Sequence, residues 1–210
     1  MDFKVILILS PHTDDGELGA GGTISKFLLE DKFIYYVAFS GCEASVPQGL
    51  PKNILRIECD KSMKVLGIPP ERVKILDYEV RTLPKYRQEI LEILTSLKNE
   101  IHPDLVLVPS SSDIHQDHSV IHMEAIRAFK KEASIWGYEH PWNNLSFSTD
   151  ILVTLETKNI DVKIECLKQY ISQKSKSYMD EENIRALART RGSLIDKKNA
   201  EAFELIRLII

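Results

Sequence analysis

The chain has 210 residues, 43% of them hydrophobic and 28% charged, which leaves room for one sizeable core and excludes disordered, collagenous and minimal disulfide-stapled classes. Lys and Arg number 27 against 31 Asp and Glu, and the net charge of −4 provides no basic footprint for nucleic acid. Residues 5–9 are too short an apolar run for a signal segment, and no later stretch approaches the roughly 18 apolar residues of a membrane span. Cys42, Cys59 and Cys166 form no Cys-x-x-Cys pair and read as buried, reduced residues. A cytoplasmic protein with one domain over residues 1–210 is expected.

Residues 3–9 are a continuous apolar run, suited to a strand buried on both faces. A Gly-rich turn then leads into a helix over about 23–29, and residues 33–39 read as a second buried strand. Leu55, Cys59, Met63 and Leu66 recur at helical spacing, with Gly67, Pro69 and Pro70 placed to end that helix. Residues 73–76 make a short third strand. Ile90, Ile93, Leu94, Leu97 and Ile101 draw a stripe along a helix, followed by a fourth strand at 105–108. A helix over about 117–130 follows, then strands at 134–138 and 151–155. Two further helices come next, the second starting near the N-cap residue Asp180. Residues 203–210 are apolar enough for an edge or sheet-extending strand.

Strands separated by helices predict an α/β, Rossmann-like three-layer sandwich with a mostly parallel sheet, because each parallel connection needs a crossover. In the doubly wound order the fourth strand returns beside the first. Their loops then diverge at a switch point and leave a ligand crevice at the carboxyl ends of the strands.

Those two loops read Ser10-Pro11-His12-Thr13-Asp14-Asp15-Gly16-Glu17 and Ser110-Ser111-Ser112-Asp113-Ile114-His115-Gln116-Asp117-His118. An imidazole and a carboxylate three residues apart can converge on one cation, with a second imidazole from the neighbouring loop as third ligand. Three protein ligands leave a position open for water, the arrangement used in hydrolysis, and a remaining carboxylate can act as general base. The competing reading makes Asp14, Asp15 and Asp117 helix caps. Capping gives no reason for histidines to gather at both loops.

Pro11-His12-Thr13-Asp14-Asp15, then Gly19-Ala20-Gly21-Gly22-Thr23, and His115-Gln116-Asp117-His118 downstream together resemble the PIG-L/LmbE-like deacetylase family. The resemblance implies a zinc-dependent hydrolase that removes the N-acetyl group from an amino sugar such as an N-acetylglucosamine derivative. It further implies His12, Asp15 and His118 as metal ligands, Asp14 as general base and His115 as stabiliser of the oxyanion. Glu43 and Arg56 stand at positions like those that contact sugar hydroxyls in the family, and Asp77 and Arg81, after the third strand, are similar candidates. Thr13 stands where the family usually has Pro, and Gly16 where it usually has Glu, which puts the role of Glu17 in doubt.

Asp113 could orient a ligand histidine through its second ring nitrogen. His122 and His102 read as structural, and Trp142, near His140 and Asn143, could stack on a sugar face or pack in the core. Gly19 and Gly21 lack the third glycine of a dinucleotide fingerprint, Ile24 standing there. Two other readings stay open: hydrolysis of another small N-acyl amide such as a thiol-glycoside, and a non-catalytic metal or sugar-binding module. The apolar terminal strand could complete the sheet or pair with another subunit in a homo-oligomer.

Overall fold

The computed structural model describes residues 3–210. In chain order its main elements are β1 (Val5–Ser10), α1 (Asp15–Leu29), β2 (Phe33–Ala38), α2 (Ile54–Leu66), β3 (Val73–Ile75), α3 (Arg87–Ile101), β4 (Leu105–Pro109), α4 (Gln116–Phe129), β5 (Ser134–Tyr138), β6 (Ile151–Leu155), α5 (Thr157–Leu167), α6 (Glu181–Ser193) and β7 (Asn199–Arg207). The seven strands form one sheet in the order β3-β2-β1-β4-β5-β7-β6. The first five strands along that order pair in parallel, while β7 runs antiparallel to both β5 and β6.

The apolar run of β1 is explained by burial on both faces, since successive side chains point to opposite sides of a strand. Ile6 and Ile8 enter one core with Ile24, Leu55 and Cys59, whereas Leu7 and Leu9 enter the other with Leu94, Val120 and Ile121. Helices α1, α2, α5 and α6 therefore cover one face, and α3 and α4 the other. The three-layer α/β fold is as expected from the sequence. All three cysteines are buried and free, and no helix among the described residues is long and apolar enough to cross a membrane.

Two expectations need correction. The Gly-rich stretch after β1 is helix rather than turn, because α1 starts at Asp15. Its glycines answer to packing: a Cβ on Gly16 would stand 2.6 Å from the Tyr36 ring, and one on Gly19 would stand 2.4 Å from the Tyr138 ring. A helix this close to the sheet tolerates no side chain there, and that outweighs the poor helix propensity of glycine. The terminal strand covers Asn199–Arg207 rather than 203–210 and lies inside the sheet, with β6 outside it. Residues 199–203 are all buried, which an edge position would not give them.

Candidate active site

Because β1 and β4 are adjacent and parallel, the loops after them open side by side at the carboxyl edge of the sheet. Ser10 Oγ, at the end of β1, accepts the Gly16 N–H at 2.9 Å and so folds the intervening loop over the strand end. His12, Asp14 and Asp15 from that loop face His115 and His118 from the other, around a cavity of about 440 Å³.

His12 Nδ1, Asp15 Oδ2 and His118 Nε2 form a triangle with edges of 3.0, 3.2 and 3.3 Å. Donor atoms around one ion held at about 2.0–2.2 Å stand roughly 3–3.5 Å apart, so the triangle matches one face of such a coordination shell. Two further trios, His12–His115–His118 and Asp15–His118–His140, also bring their donor atoms within 4.8 Å. In the His12–Asp15–His118 triangle every edge is 3.3 Å or less, and its imidazoles are oriented for metal. His12 Nε2 lies 3.0 Å from Asp117 Oδ2, and His118 Nδ1 lies 2.7 Å from Asp113 Oδ2. A proton on each of those nitrogens leaves the lone pair of the other facing the triangle.

Electrostatics favour positive charge at this point. Burial works to lower the His118 pKa, yet Asp15 and Asp113 carry it up to about 9. His12 is likewise raised against its burial by Asp15 and Asp117. Burial would raise the Asp15 carboxyl, but the two imidazoles hold it well below the usual range. Three carboxylates thus surround a point where a divalent cation would sit, and the donor set fits such an ion.

Asp14 occupies the N-cap position of α1 but makes no capping bond with its side chain. Its carboxylate lines the cavity, where burial and then the negative charge of Asp15 push its pKa up to about 6. That is the profile of a base able to work near neutrality. His115 caps α4, its Nδ1 accepting the Asp117 N–H at 3.2 Å, which leaves the proton on Nε2. Burial, and then the neighbouring His118 and His12, push its pKa down to about 4. It is therefore a neutral hydrogen-bond donor at pH 7.

The residues singled out for substrate divide. Arg81 lines the cavity, at a left-handed φ of 69° fixed by a 2.6 Å bond from its N–H to Asp117 Oδ2. Glu43, Arg56 and Asp77 are absent from the cavity wall and bind one another instead. The Arg56 guanidinium meets Glu43 Oε1 at 2.6 Å and Asp77 Oδ1 at 2.7 Å, and it donates to the Ile75 and Leu76 carbonyls. Arg56 is thereby a clasp between the loops after β2 and β3. Trp142 stacks on His140 at 4.8 Å and on Tyr178 at 4.5 Å, remains 40% exposed, and lines the cavity. His122 bonds the Pro109 carbonyl at 2.8 Å, and His102 caps α3, both structural positions.

Several supporting residues escape a reading of the sequence. Asp117 looks like an ordinary first-turn acid of α4, and only the approach of β1 reveals its bond to His12. His140 Nε2 braces the Asp15 carbonyl at 3.0 Å; its place at the end of β5, beside β4, is the signal that could have found it. Glu17, buried one turn into α1, accepts from Tyr36, from Ser62 at 2.7 Å and from Tyr170 at 2.8 Å. The two phenol oxygens also lie 3.0 and 2.7 Å from the Thr13 carbonyl oxygen, each with one proton to share between that carbonyl and Glu17, so this cluster supports the loop after β1 from beneath.

Comparison with known proteins shows the family. The pattern of the PIG-L family, described as GlcNAc-PI de-N-acetylase, matches residues 7–129. The uncharacterized deacetylase YaiS of Escherichia coli is 26% identical over 173 residues, covering 80% of this chain and 91% of that protein. Diacetylchitobiose deacetylase of Thermococcus kodakarensis is 30% identical over 125 residues, 56% of this chain and 46% of its own length. Among solved structures, N,N'-diacetylchitobiose deacetylase from Pyrococcus horikoshii superposes with a TM-score of 0.82 at 22% identity, over 98% of this chain and 84% of that one. With more than half of its length matched by the family pattern, the chain belongs to the PIG-L deacetylase family.

Proposed function

We propose that this protein is a zinc-dependent hydrolase that removes the N-acetyl group from an amino sugar of the N-acetylglucosamine type, releasing acetate and free amine. The observation that carries the reading is the triangle of His12, Asp15 and His118 donors beside the unpartnered Asp14 carboxylate. His12, Asp15 and His118 would hold the ion; two imidazoles and one carboxylate suit zinc. A bound divalent ion supplies Lewis-acid polarisation of a carbonyl and acidifies water.

The residues of the chain do the rest. Asp14 takes the proton of the attacking water and returns one to the departing nitrogen, which must leave protonated because an amide anion is too basic. His115 donates its Nε2 proton as a hydrogen bond to the carbonyl oxygen as negative charge builds there. Arg81 meets the sugar at the mouth. Glu43, Arg56 and Asp77 serve binding indirectly, by tying the loops that carry Ser45 and Arg81 into the cavity wall.

Metal content and acetate release from N-acetylglucosamine derivatives, measured on wild type, Asp14→Ala and His118→Ala, test the proposal together. The expected result is about one zinc per chain in wild type and Asp14→Ala, loss of zinc in His118→Ala, and turnover lowered by about 10²–10⁴-fold in Asp14→Ala. No metal in any sample and no acetate after zinc addition would overturn it.

A further inference from the structure

Behind the cavity just described lies a second one of about 420 Å³, set between α5, α6, β7 and the turn after β5. The two share Leu18, Trp142 and Tyr178 as wall residues, so a single layer of side chains divides them. Leu18, Ile160, Ile184, Leu187 and Ala202 make the second cavity largely apolar. Its charged groups are already paired: Lys163 Nζ donates to Glu201 Oε1 and to the Leu18 carbonyl, both at 2.7 Å, and Arg191 closes on Glu139. No charge is left over for an ionic ligand, and hydrocarbon is the chemistry that fits.

Which hydrocarbon follows from the two sides of the scissile amide. The amine side is a sugar with hydroxyls, and the mouth of the first cavity offers Arg81, Asn143, Ser172, Gln173, Ser175 and Lys176. The acyl side is hydrocarbon. Leu18 stands three residues after Asp15 and four after Asp14 on α1, hence on the same helix face and in the shared wall. A carbonyl carbon placed within reach of Asp14 therefore directs its acyl chain towards Leu18 and the second cavity. Tyr178, which stacks on Trp142, belongs to a three-residue turn between α5 and α6, so the layer that divides the two cavities is built from a turn and side chains rather than from either helix's backbone.

We infer that the protein also hydrolyses N-acyl amino sugars whose acyl chain is longer than acetyl, the chain lying in the cavity between α5, α6 and β7. The inference rests on the hydrolase reading above and extends it to a wider acyl group. The amide C–N bond breaks, water gives its hydroxyl to the acyl carbon and a proton to the nitrogen, and the proton of the resulting carboxylic acid passes to the amine, so that a carboxylate and an ammonium depart without any redox step.

The test is a series of N-acetyl, N-butanoyl, N-hexanoyl and N-octanoyl glucosamine with the zinc-supplied protein, following free amine so that each member is read the same way. Burial of the chain predicts a kcat/KM that rises by up to about four-fold per added methylene until the cavity is full. Turnover of the acetyl substrate with a steady fall on lengthening would overturn this inference alone, whereas no amine from any member would overturn the hydrolase reading and this inference with it. Ala186 is exposed on α6 and lines the second cavity. Ala186→Trp should lower the hexanoyl-to-acetyl ratio of kcat/KM at least about ten-fold by filling that space. An unchanged ratio would count against the assigned cavity.

Discussion

His12 Nε2 lies 3.0 Å from Asp117 Oδ2 across 105 residues of sequence, and the same carboxylate accepts the backbone N–H groups of Arg81 and Leu83. Asp117 thus ties one proposed ligand on the first loop to the loop that carries Arg81. Carboxylates behind ligating imidazoles fix the tautomer and raise ligand basicity, and their loss typically weakens metal binding by about 10–100-fold. Asp117→Asn keeps an acceptor for the two N–H groups but removes the charge. Zinc affinity, read by competition with a chromophoric chelator, should fall by about that factor with the fold intact. An unchanged affinity would show that His12 is oriented without Asp117.

Asp14 has its pKa raised to about 6, first by burial and then by Asp15. A general base acts in its ionised form, so the acid limb of kcat/KM should rise with pH through the pKa of Asp14. A bound cation favours the carboxylate, and the limb in the metal-loaded protein should therefore lie at or below about 6. Asp14→Asn should remove that limb along with most of the rate. A limb that survives in Asp14→Asn would assign the base elsewhere.

How far the site was legible depends on the range of the forces behind each residue. Buried strands announce themselves as apolar runs, and a parallel order puts the loops after β1 and β4 together, so His12, Asp14, Asp15, His115 and His118 were readable as one cluster. The start of α1 was not. Glycines at 16 and 19 signal a turn locally, and only Tyr36 and Tyr138, distant in sequence, make a close-packed helix the better solution. Arg56 follows β2 at the expected end of the sheet, but its direction is decided by Glu43 and Asp77, a tertiary pairing that spacing does not encode. The position of β7 between β5 and β6 is a long-range antiparallel insertion of the same kind. The lining of the second cavity by α6 likewise depends on packing no local pattern displays.

Arg56 and Arg81 should respond differently to truncation. Arg56→Ala leaves the Ile75 and Leu76 carbonyls and the Glu43 and Asp77 carboxylates without their shared donor; because all four residues are at least partly open to water, Asp77 almost fully, the cost in stability is about 1 kcal/mol. Lysine should not restore it, because a single ammonium cannot reproduce the planar fork of guanidinium donors. Arg81→Ala removes a cavity-lining group while its backbone bond to Asp117 remains, and should raise KM with metal content and melting temperature nearly constant. Urea midpoints and steady-state kinetics on both variants separate the roles. A KM effect from Arg56→Ala at unchanged stability would return Arg56 to direct substrate contact.

Glu17 links stability to pH. Burial pushes its pKa from the ordinary carboxylate value up to about 7, against the hydrogen bonds from Tyr36, Ser62 and Tyr170 that favour its ionised form. A carboxyl with a raised folded-state pKa binds more protons in the folded protein than in the unfolded chain between the two pKa values. Its contribution is fully present below the unfolded pKa near 4.5 and is lost as pH rises through about 7. The full swing is on the order of 3 kcal/mol. Glu17→Gln cannot ionise yet keeps an acceptor for the hydroxyls, so it should lack this swing. Unfolding free energies at pH 5 and pH 8 should therefore show the wild type losing stability relative to Glu17→Gln on going to the higher pH. Parallel curves for the two proteins would mean that Glu17 titrates at its ordinary value and that the hydroxyls around it, rather than its burial, set its charge.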